Sequence, residues 1–269
     1  MRTEKFEIIS IAGQRLSARL DLPADGEPVA YALLAHCFTC SKDVKAFYHI
    51  ARALTRRRIG VLRFDFTGLG ESGGDFADTS LATNVQDLVA AAEALAARFE
   101  APKLLIGHSF GGAAVIAAAS AMGSCKAVVT IAAPADPRHV ARTLGPAAQT
   151  LAAHGAATVK IAGRAFTLRK RFLDDLRGID PEDLLSNLNR ALLVMHSPRD
   201  EVVGIENASR IFQAARHPKS FVSLDSADHL LSDPADARYA GSVIAAWAMR
   251  YIAPLANADA PESRPAKET

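Results

Sequence analysis

Gly107-His108-Ser109-Phe110-Gly111 sets a serine between two glycines in the pattern G-x-S-x-G. A serine hydroxyl becomes a useful nucleophile when a base takes its proton and the backbone holds it where a substrate can reach it. The apolar run Lys103–Gly107 leads straight into this serine, and the small-residue stretch GGAAVIAAAS follows it. That context predicts a sharp strand-to-helix turn with the Ser109 hydroxyl raised above a sheet. The glycines are needed because a Cβ would clash in so tight a turn. The helix that follows leaves its first N–H groups unpaired, so the Phe110 N–H can face a developing oxyanion. The competing reading is a serine that only N-caps an ordinary helix.

A base must come from elsewhere in the chain. With the serine on such a turn, the expected order is serine, then a carboxylate, then histidine. His229 fits, in Ser226-Ala227-Asp228-His229, after the apolar run FVSL and before the last long helical stretch. A surface-loop histidine is the alternative. Asp200 follows LLVM and the turn His196-Ser197-Pro198-Arg199. Its carboxylate can accept the His229 Nδ1–H bond, fixing the tautomer and stabilising the imidazolium. Asp225 competes for that role and Glu201 could stand in for it. Asp228 is next to His229, and adjacent residues rarely face each other in this way.

These loops need a frame. Lys5–Ser10 and Arg15–Leu22 alternate apolar and polar residues, as half-exposed antiparallel edge strands do. Val29–Ala35, Gly60–Phe66, Lys103–Gly107, Ala127–Ala132, Leu192–Met195 and Ser220–Leu224 are more continuously apolar, as strands covered on both faces are. Helical patterns fall at Val44–Arg58, Thr83–Phe99, Phe110–Met122, Ile205–Arg216 and Ala237–Tyr251. The alternation predicts an α/β fold with a mostly parallel sheet of about eight strands and helices on both faces. Pro134–Arg190 is too long for an ordinary connection and reads as a small inserted cap, with a hairpin turning at Ala162-Gly163. Residues 1–254 read as one domain and 255–269, rich in Ala, Pro and charge, as a loose tail or linker.

Composition narrows the function classes. The 269 residues are 49% hydrophobic and 22% charged, the balance of a globular chain. The formal net charge of +2, with no long block of one sign, gives no expectation of nucleic acid as a partner. The charged start MRTEKFEIISIAGQRL is unlike a secretory signal, and no run reaches the roughly 18 apolar residues of a membrane span. No membrane association is expected, and a cytoplasmic setting is the simplest reading. Three cysteines are too few for a disulfide-stapled scaffold.

With these motifs placed, the chain resembles the α/β-hydrolase superfamily over about residues 1 to 254. Four segments carry a closer likeness to the hydrolase part of proteins in which such a domain is fused to an OsmC-type peroxide-resistance domain. They are HCFTCSKD (His36–Asp43), RFDFTGLGES (Arg63–Ser72), GHSFGG (Gly107–Gly112) and KRFLDDL (Lys170–Leu176). The first is the most specific. The resemblance implies an esterase-like activity on a small-molecule ester, with no metal or organic cofactor. It leaves an OsmC-type domain or a second copy of the chain as candidate partners. Many relatives carry His-Gly before the second oxyanion donor, which puts that donor at Phe38, with Cys37 in the usual glycine's place.

Cys37-Phe38-Thr39-Cys40 is a C-x-x-C inside that loop. Zinc needs about four ligands and no second pair is suitably spaced, so no metal is expected. Two small residues packing the loop is the plain reading. A redox pair is the sharper one, in which joining the thiols pulls the loop off the geometry that the Phe38 N–H requires. Arg63–Ser72 reads as structural, with Asp65 and Ser72 bonding local backbone. His108 packs beneath or beside the turn, and His36 and His196 are loop hydrogen-bonders. Trp247 is core. The cap's Lys160, Arg164, Arg169, Lys170, Arg171 and Arg177 form a solvated face, or attract anionic substrates. The leading functional reading is a serine carboxylesterase for small to medium acyl groups, acting through an acyl-enzyme. Thioesters, amides or peptides as substrates, and a non-catalytic partner domain, are the alternatives.

Overall fold

Alternation shapes the outer strands and continuous apolar sequence the inner ones. The computed structural model describes residues 1–161 and 164–253. The readings made for the Ala162-Gly163 turn and for the tail lie outside the described residues. In chain order the strands are β1 (Arg2–Ile9), β2 (Arg15–Leu22), β3 (Ala30–Ala35), β4 (Ile59–Phe64), β5 (Leu104–His108), β6 (Ala127–Ile131), β7 (Ala156–Ile161), β8 (Arg164–Arg169), β9 (Ala191–His196) and β10 (Lys219–Ser223). Eight of them make one sheet in the order β1-β2-β4-β3-β5-β6-β9-β10, in which β2 alone runs against the rest. The fold is that of an α/β-hydrolase.

The helices are α1 (Lys45–Thr55), α2 (Leu81–Arg98), α3 (Phe110–Ala119), α4 (His139–Thr143), α5 (Pro146–His154), α6 (Lys170–Arg177), α7 (Pro181–Ser186), α8 (Glu206–Ala214) and α9 (Pro234–Ile252). The fully buried strand β3 shows how the two faces divide: Ala30, Ala32 and Leu34 join the core under α1 and α9, while Tyr31, Leu33 and Ala35 join the core under α2, α3 and α8. Because both faces are covered, β3, β4, β5, β6 and β9 lose the polar alternation that β1 keeps. The sheet order turns back at β3–β5, and open α/β sheets hold their ligands in the crevice beyond the strand ends at such a point.

Helix starts follow local chemistry. Ser80 and Thr83 form a capping box at α2, and the Asp233 carboxylate accepts the Ala235 N–H before Pro234 opens α9. Strand β4 ends at Phe64, two residues before the apolar run does. The buried Asp65 carboxylate accepts the backbone N–H groups of Lys42 and Glu71, so the chain leaves the sheet there to wrap this side chain.

Between β6 and β9 the chain forms α4 to α7 and the hairpin β7–β8, paired from Ala156↔Arg169 to Ile161↔Arg164. Its short helices have too few periodic turns to stand out in the sequence. Phe166, Leu168, Phe172, Leu173 and Leu176 turn their side chains into the α2–α3 side of the core.

Candidate active site

The serine sits where the chain leaves β5 and enters α3. Ser109 has φ 53° and ψ −125°, a conformation costly for any residue with a Cβ, of order 1–3 kcal/mol, and typical of functional turns. The turn is fixed from three sides. Ser109 N–H donates to Ile131 O at 2.8 Å, Gly112 N–H donates to Ser109 O at 2.8 Å, and the glycines allow close backbone contact. A Cβ on Gly107 would collide with the Gly111 carbonyl, and one on Gly111 with the carbonyls of Ala35 and His36. Gly111 is therefore what lets the β3 loop lie against the start of α3.

His229 reaches this serine from the loop between β10 and α9. Its Nε2 lies 3.0 Å from Ser109 Oγ and its Nδ1 lies 2.8 Å from Asp200 Oδ2. A carboxylate accepts, so Nδ1 carries the proton and Nε2 is left to take one from the hydroxyl. Asp200 stands in the loop after β9, where its other oxygen accepts Val202 N–H at 2.9 Å and Val203 N–H at 2.8 Å. Burial alone would raise the Asp200 carboxyl. Bonds from His196, His229 and the Val203 N–H outweigh it and hold the group well below the usual carboxylate range. The competing carboxylates stand apart: Glu201 and Asp225 are exposed, and Asp228 accepts Ser232 N–H at 2.8 Å. Ser109 and His229 are each 9% exposed and Asp200 7%, so solvent is largely excluded while the hydroxyl stays within reach.

His108 takes a larger part than packing beneath the turn. Its Nε2–H donates to the main-chain carbonyl of His229 at 2.6 Å, and the two rings lie 5.0 Å apart. Burial, with the neighbouring His229 charge, pushes the His108 imidazole down to about 4, so it stays a neutral donor at physiological pH. His196 donates to Val203 O at 2.7 Å and holds the Asp200 loop in the same manner. The sequence placed His108 beside the serine and His196 at a strand end and gave no signal of their partners.

The loop after β3 faces the start of α3. Cys37 and Cys40 are joined by a disulfide, with Cα atoms 5.3 Å apart, and Cys40 N–H donates to Cys37 O at 3.3 Å. The Phe38 ring stands 5.3 Å from that of Phe110, 5.2 Å from Phe76 and 5.1 Å from Phe172 of α6, which makes an aromatic wall beside Ser109. His36 Nδ1–H donates to Cys37 O at 2.7 Å while its Nε2 accepts Phe66 N–H at 3.2 Å; burial lowers this imidazole's pKa and keeps it neutral. Further along, the Lys42 ammonium bonds Asp65 at 2.9 Å and Glu71 at 2.7 Å, and Arg63 ties Asp21 at 2.6 Å to the Lys42 carbonyl at 2.7 Å. Burial would lower the Lys42 ammonium, but the two carboxylates more than reverse this and raise it. HCFTCSKD and RFDFTGLGES are thus two halves of one anchored unit.

Three of the insertion's cations have partners in the structure. Arg169 pairs with Asp78, Arg177 with Asp174 at 3.0 Å, and Arg164 lies over the Phe166 ring at 5.1 Å. Trp247 packs half-buried beside Tyr251 and donates to Ser220 Oγ at 3.1 Å. Among the described residues no group of three or more His, Cys, Asp or Glu side chains could hold a metal ion, and no helix is long and apolar enough to cross a membrane.

Comparison with known proteins agrees with this fold. Residues 32–261 match the model of the alpha/beta hydrolase family. The esterase domain of a Rhodothermus marinus protein is 53% identical, with a TM-score of 0.79 over 94% of this chain and 100% of that one. Est1E from Butyrivibrio proteoclasticus, solved with ferulic acid, has a TM-score of 0.79 at 22% identity over 91% of this chain and 98% of that one, a likeness of fold. The uncharacterized protein YfhR of Salmonella typhi is 24% identical over 211 residues, 78% of this chain and 68% of that protein.

Proposed function

The chain belongs to the alpha/beta hydrolase family, and on that premise we propose that it is a serine carboxylesterase that works through an acyl-enzyme. The observation that carries the reading is the unbroken run of hydrogen bonds from Asp200 to His229 at 2.8 Å and from His229 to Ser109 at 3.0 Å. Ser109 Oγ attacks the ester carbonyl carbon as His229 Nε2 takes its proton. The carbonyl oxygen gains charge, and the N–H groups of Phe38 and Phe110 stabilise it. Collapse of the tetrahedral species breaks the C–O bond, with His229 giving its proton to the departing alcohol. A water molecule then repeats the cycle on the acyl-serine. Asp200, held ionised, stabilises the imidazolium in both halves.

The 53% identical neighbour is described as an esterase, which favours oxygen esters over thioesters or amides. The acyl group faces the wall of Phe38, Phe76, Phe110 and Phe172, where only Phe38 keeps a partly exposed ring. Small to medium acyl groups are the substrates of this reading. A second reading, a flat aromatic acyl group stacked on Phe38, rests on the same wall. The likeness of HCFTCSKD to hydrolases fused to OsmC-type domains gives a partner of that type, in the cytoplasm, as the wider setting. A relative described as one domain of a protein is compatible with it.

A fluorophosphonate probe tests the enzyme directly. The protein should be labelled and Ser109→Ala should not. Absence of labelling in the unaltered protein would leave a hydrolase-like binding domain instead. A panel of p-nitrophenyl esters should show turnover highest for acetate and butyrate and lower for long chains.

A further inference from the structure

The peptide group that presents the Phe38 N–H is the same one whose carbonyl belongs to Cys37. A trans peptide is planar, and its C=O and N–H point in opposite directions, so whatever holds Cys37 O also aims the Phe38 N–H. Two donors hold that oxygen. One is His36 Nδ1–H at 2.7 Å, itself anchored by Phe66 N–H. The other is Cys40 N–H, across a turn at a longer 3.3 Å. The second bond is the weaker, and the Cys37–Cys40 disulfide spans the turn that makes it. With this bond closed, the triad is assembled and the Phe38 ring rests on Phe110.

We infer that Cys37 and Cys40 are positioning residues for the oxyanion donor: their disulfide holds the Phe38 N–H on target, and reduction slows acyl transfer. This rests on the proposed esterase reading and sets the sense of the redox effect opposite to the one that the C-x-x-C spacing alone suggests. The reductant is a dithiol. Its thiolate attacks the half-buried Cys40 sulfur rather than the buried Cys37, the S–S bond breaks, and Cys37 leaves as a thiolate. The second thiol of the reductant then displaces Cys40 and closes the reductant's own disulfide. Two electrons pass to the protein and two protons end on the two cysteines. Free Cys125 is buried, and burial raises its thiol to about 11, so it does not compete for the exchange. A chain in a reducing compartment would therefore run slow until an oxidant closed the pair.

The experiment measures p-nitrophenyl acetate kinetics on the full chain, with the disulfide closed and after dithiothreitol, and counts thiols in each sample. Losing a whole oxyanion donor costs about 10²–10³ in turnover, so a donor that is only loosened should cost roughly tenfold in kcat with KM little changed. Cys37→Ala with Cys40→Ala should match the reduced rate and ignore dithiothreitol, while Cys125→Ser should respond like the parent. The fluorophosphonate labelling rate of Ser109 should fall together with kcat. Unchanged kcat on reduction, even with a lower Tm, would overturn the inference, as would faster turnover. If the closed form neither turns over ester nor takes the probe, it is the esterase reading that fails, and the positioning inference falls with it.

Discussion

Two regions meet across the cleft and are held by different means. On the sheet side, Ser109, Asp200 and Asp65 follow strands β5, β9 and β4, in which every residue is buried, and the loops are tied down by charged groups that are buried themselves. Lys42 and Arg63 are 2% and 3% exposed, Asp65 and Asp21 0%. On the other side, the insertion between β6 and β9 has a single buried residue in α5, a β8 of which only alternate residues are buried, and ion pairs in open solvent such as Arg177–Asp174. Its grip on the sheet side comes from apolar side chains such as Phe166, Leu168, Phe172, Leu173 and Leu176. The difference teaches where the chemistry is invested. The candidate triad stands on a frame in which a misplaced atom is costly, while the insertion opposite carries more exposed residues.

Asp200→Asn is the severest test of the sheet side. Asparagine fits the space but can offer an N–H toward Nδ1, which puts the imidazole in the wrong tautomer. With the triad's logic, kcat for p-nitrophenyl acetate should fall by about 10³–10⁴ with KM nearly unchanged. A loss under about tenfold would mean that the 2.8 Å bond to His229 does not orient the base, and that the sheet side holds no catalytic frame.

Lys42→Met asks whether the buried charges carry that frame. It leaves the Asp65 carboxyl buried, with its two backbone donors and no Lys42 ammonium. Removing one partner of a buried pair typically costs about 3–5 kcal/mol, which in a chain of this size lowers Tm by roughly 10 °C. Adding Asp65→Asn should recover part of the loss by removing the carboxylate left without its cation, the single amide oxygen still accepting from one of the two main-chain donors, Lys42 N–H or Glu71 N–H. A Tm within about 2 °C of the parent after Lys42→Met would erase the contrast between the regions.

The same contrast explains what could be read before any coordinates. Ser109, His229 and Asp200 were legible because strand, turn and helix leave local marks: an apolar run, two glycines, small residues and a fixed chain order. The sheet was legible for the same reason, down to the strand Arg15–Leu22, found with those bounds, although it lies between β1 and β4 and not at the edge that its alternation suggested. His108 bonded to His229 O joins residues 121 apart, and Lys42 bonded to Asp65 joins residues 23 apart; no spacing rule encodes either pairing. Strand β4 ran short because its end is set by the tertiary role of Asp65, while Phe66 keeps the strand's apolar character. The insertion resisted most. Phe76, Phe166 and Phe172 sit at no shared period; Phe76 and Phe172 meet at Phe38 and Phe166 meets Phe76 by packing alone.

Phe172→Leu bears on that packing and should have the smallest effect of the three. Phe172 is 1% exposed, with its ring 5.1 Å from Phe38 and 6.1 Å from Phe110. Leucine keeps most of the apolar volume and forfeits the ring pairings, each worth about 0.5–1.5 kcal/mol beyond burial. The loss falls on the wall and leaves the Asp200–His229–Ser109 relay untouched. KM for aryl and short-chain esters should therefore rise by roughly three- to tenfold, the equivalent of about one such pairing, while kcat stays within about threefold. Phe172→Tyr should restore KM if its hydroxyl finds solvent. A fall in kcat larger than the rise in KM would show that the insertion shapes the transition state as well as the bound ester. The division between the catalytic rim and the wall would then have to be redrawn through Phe38 and Phe110, which belong to both.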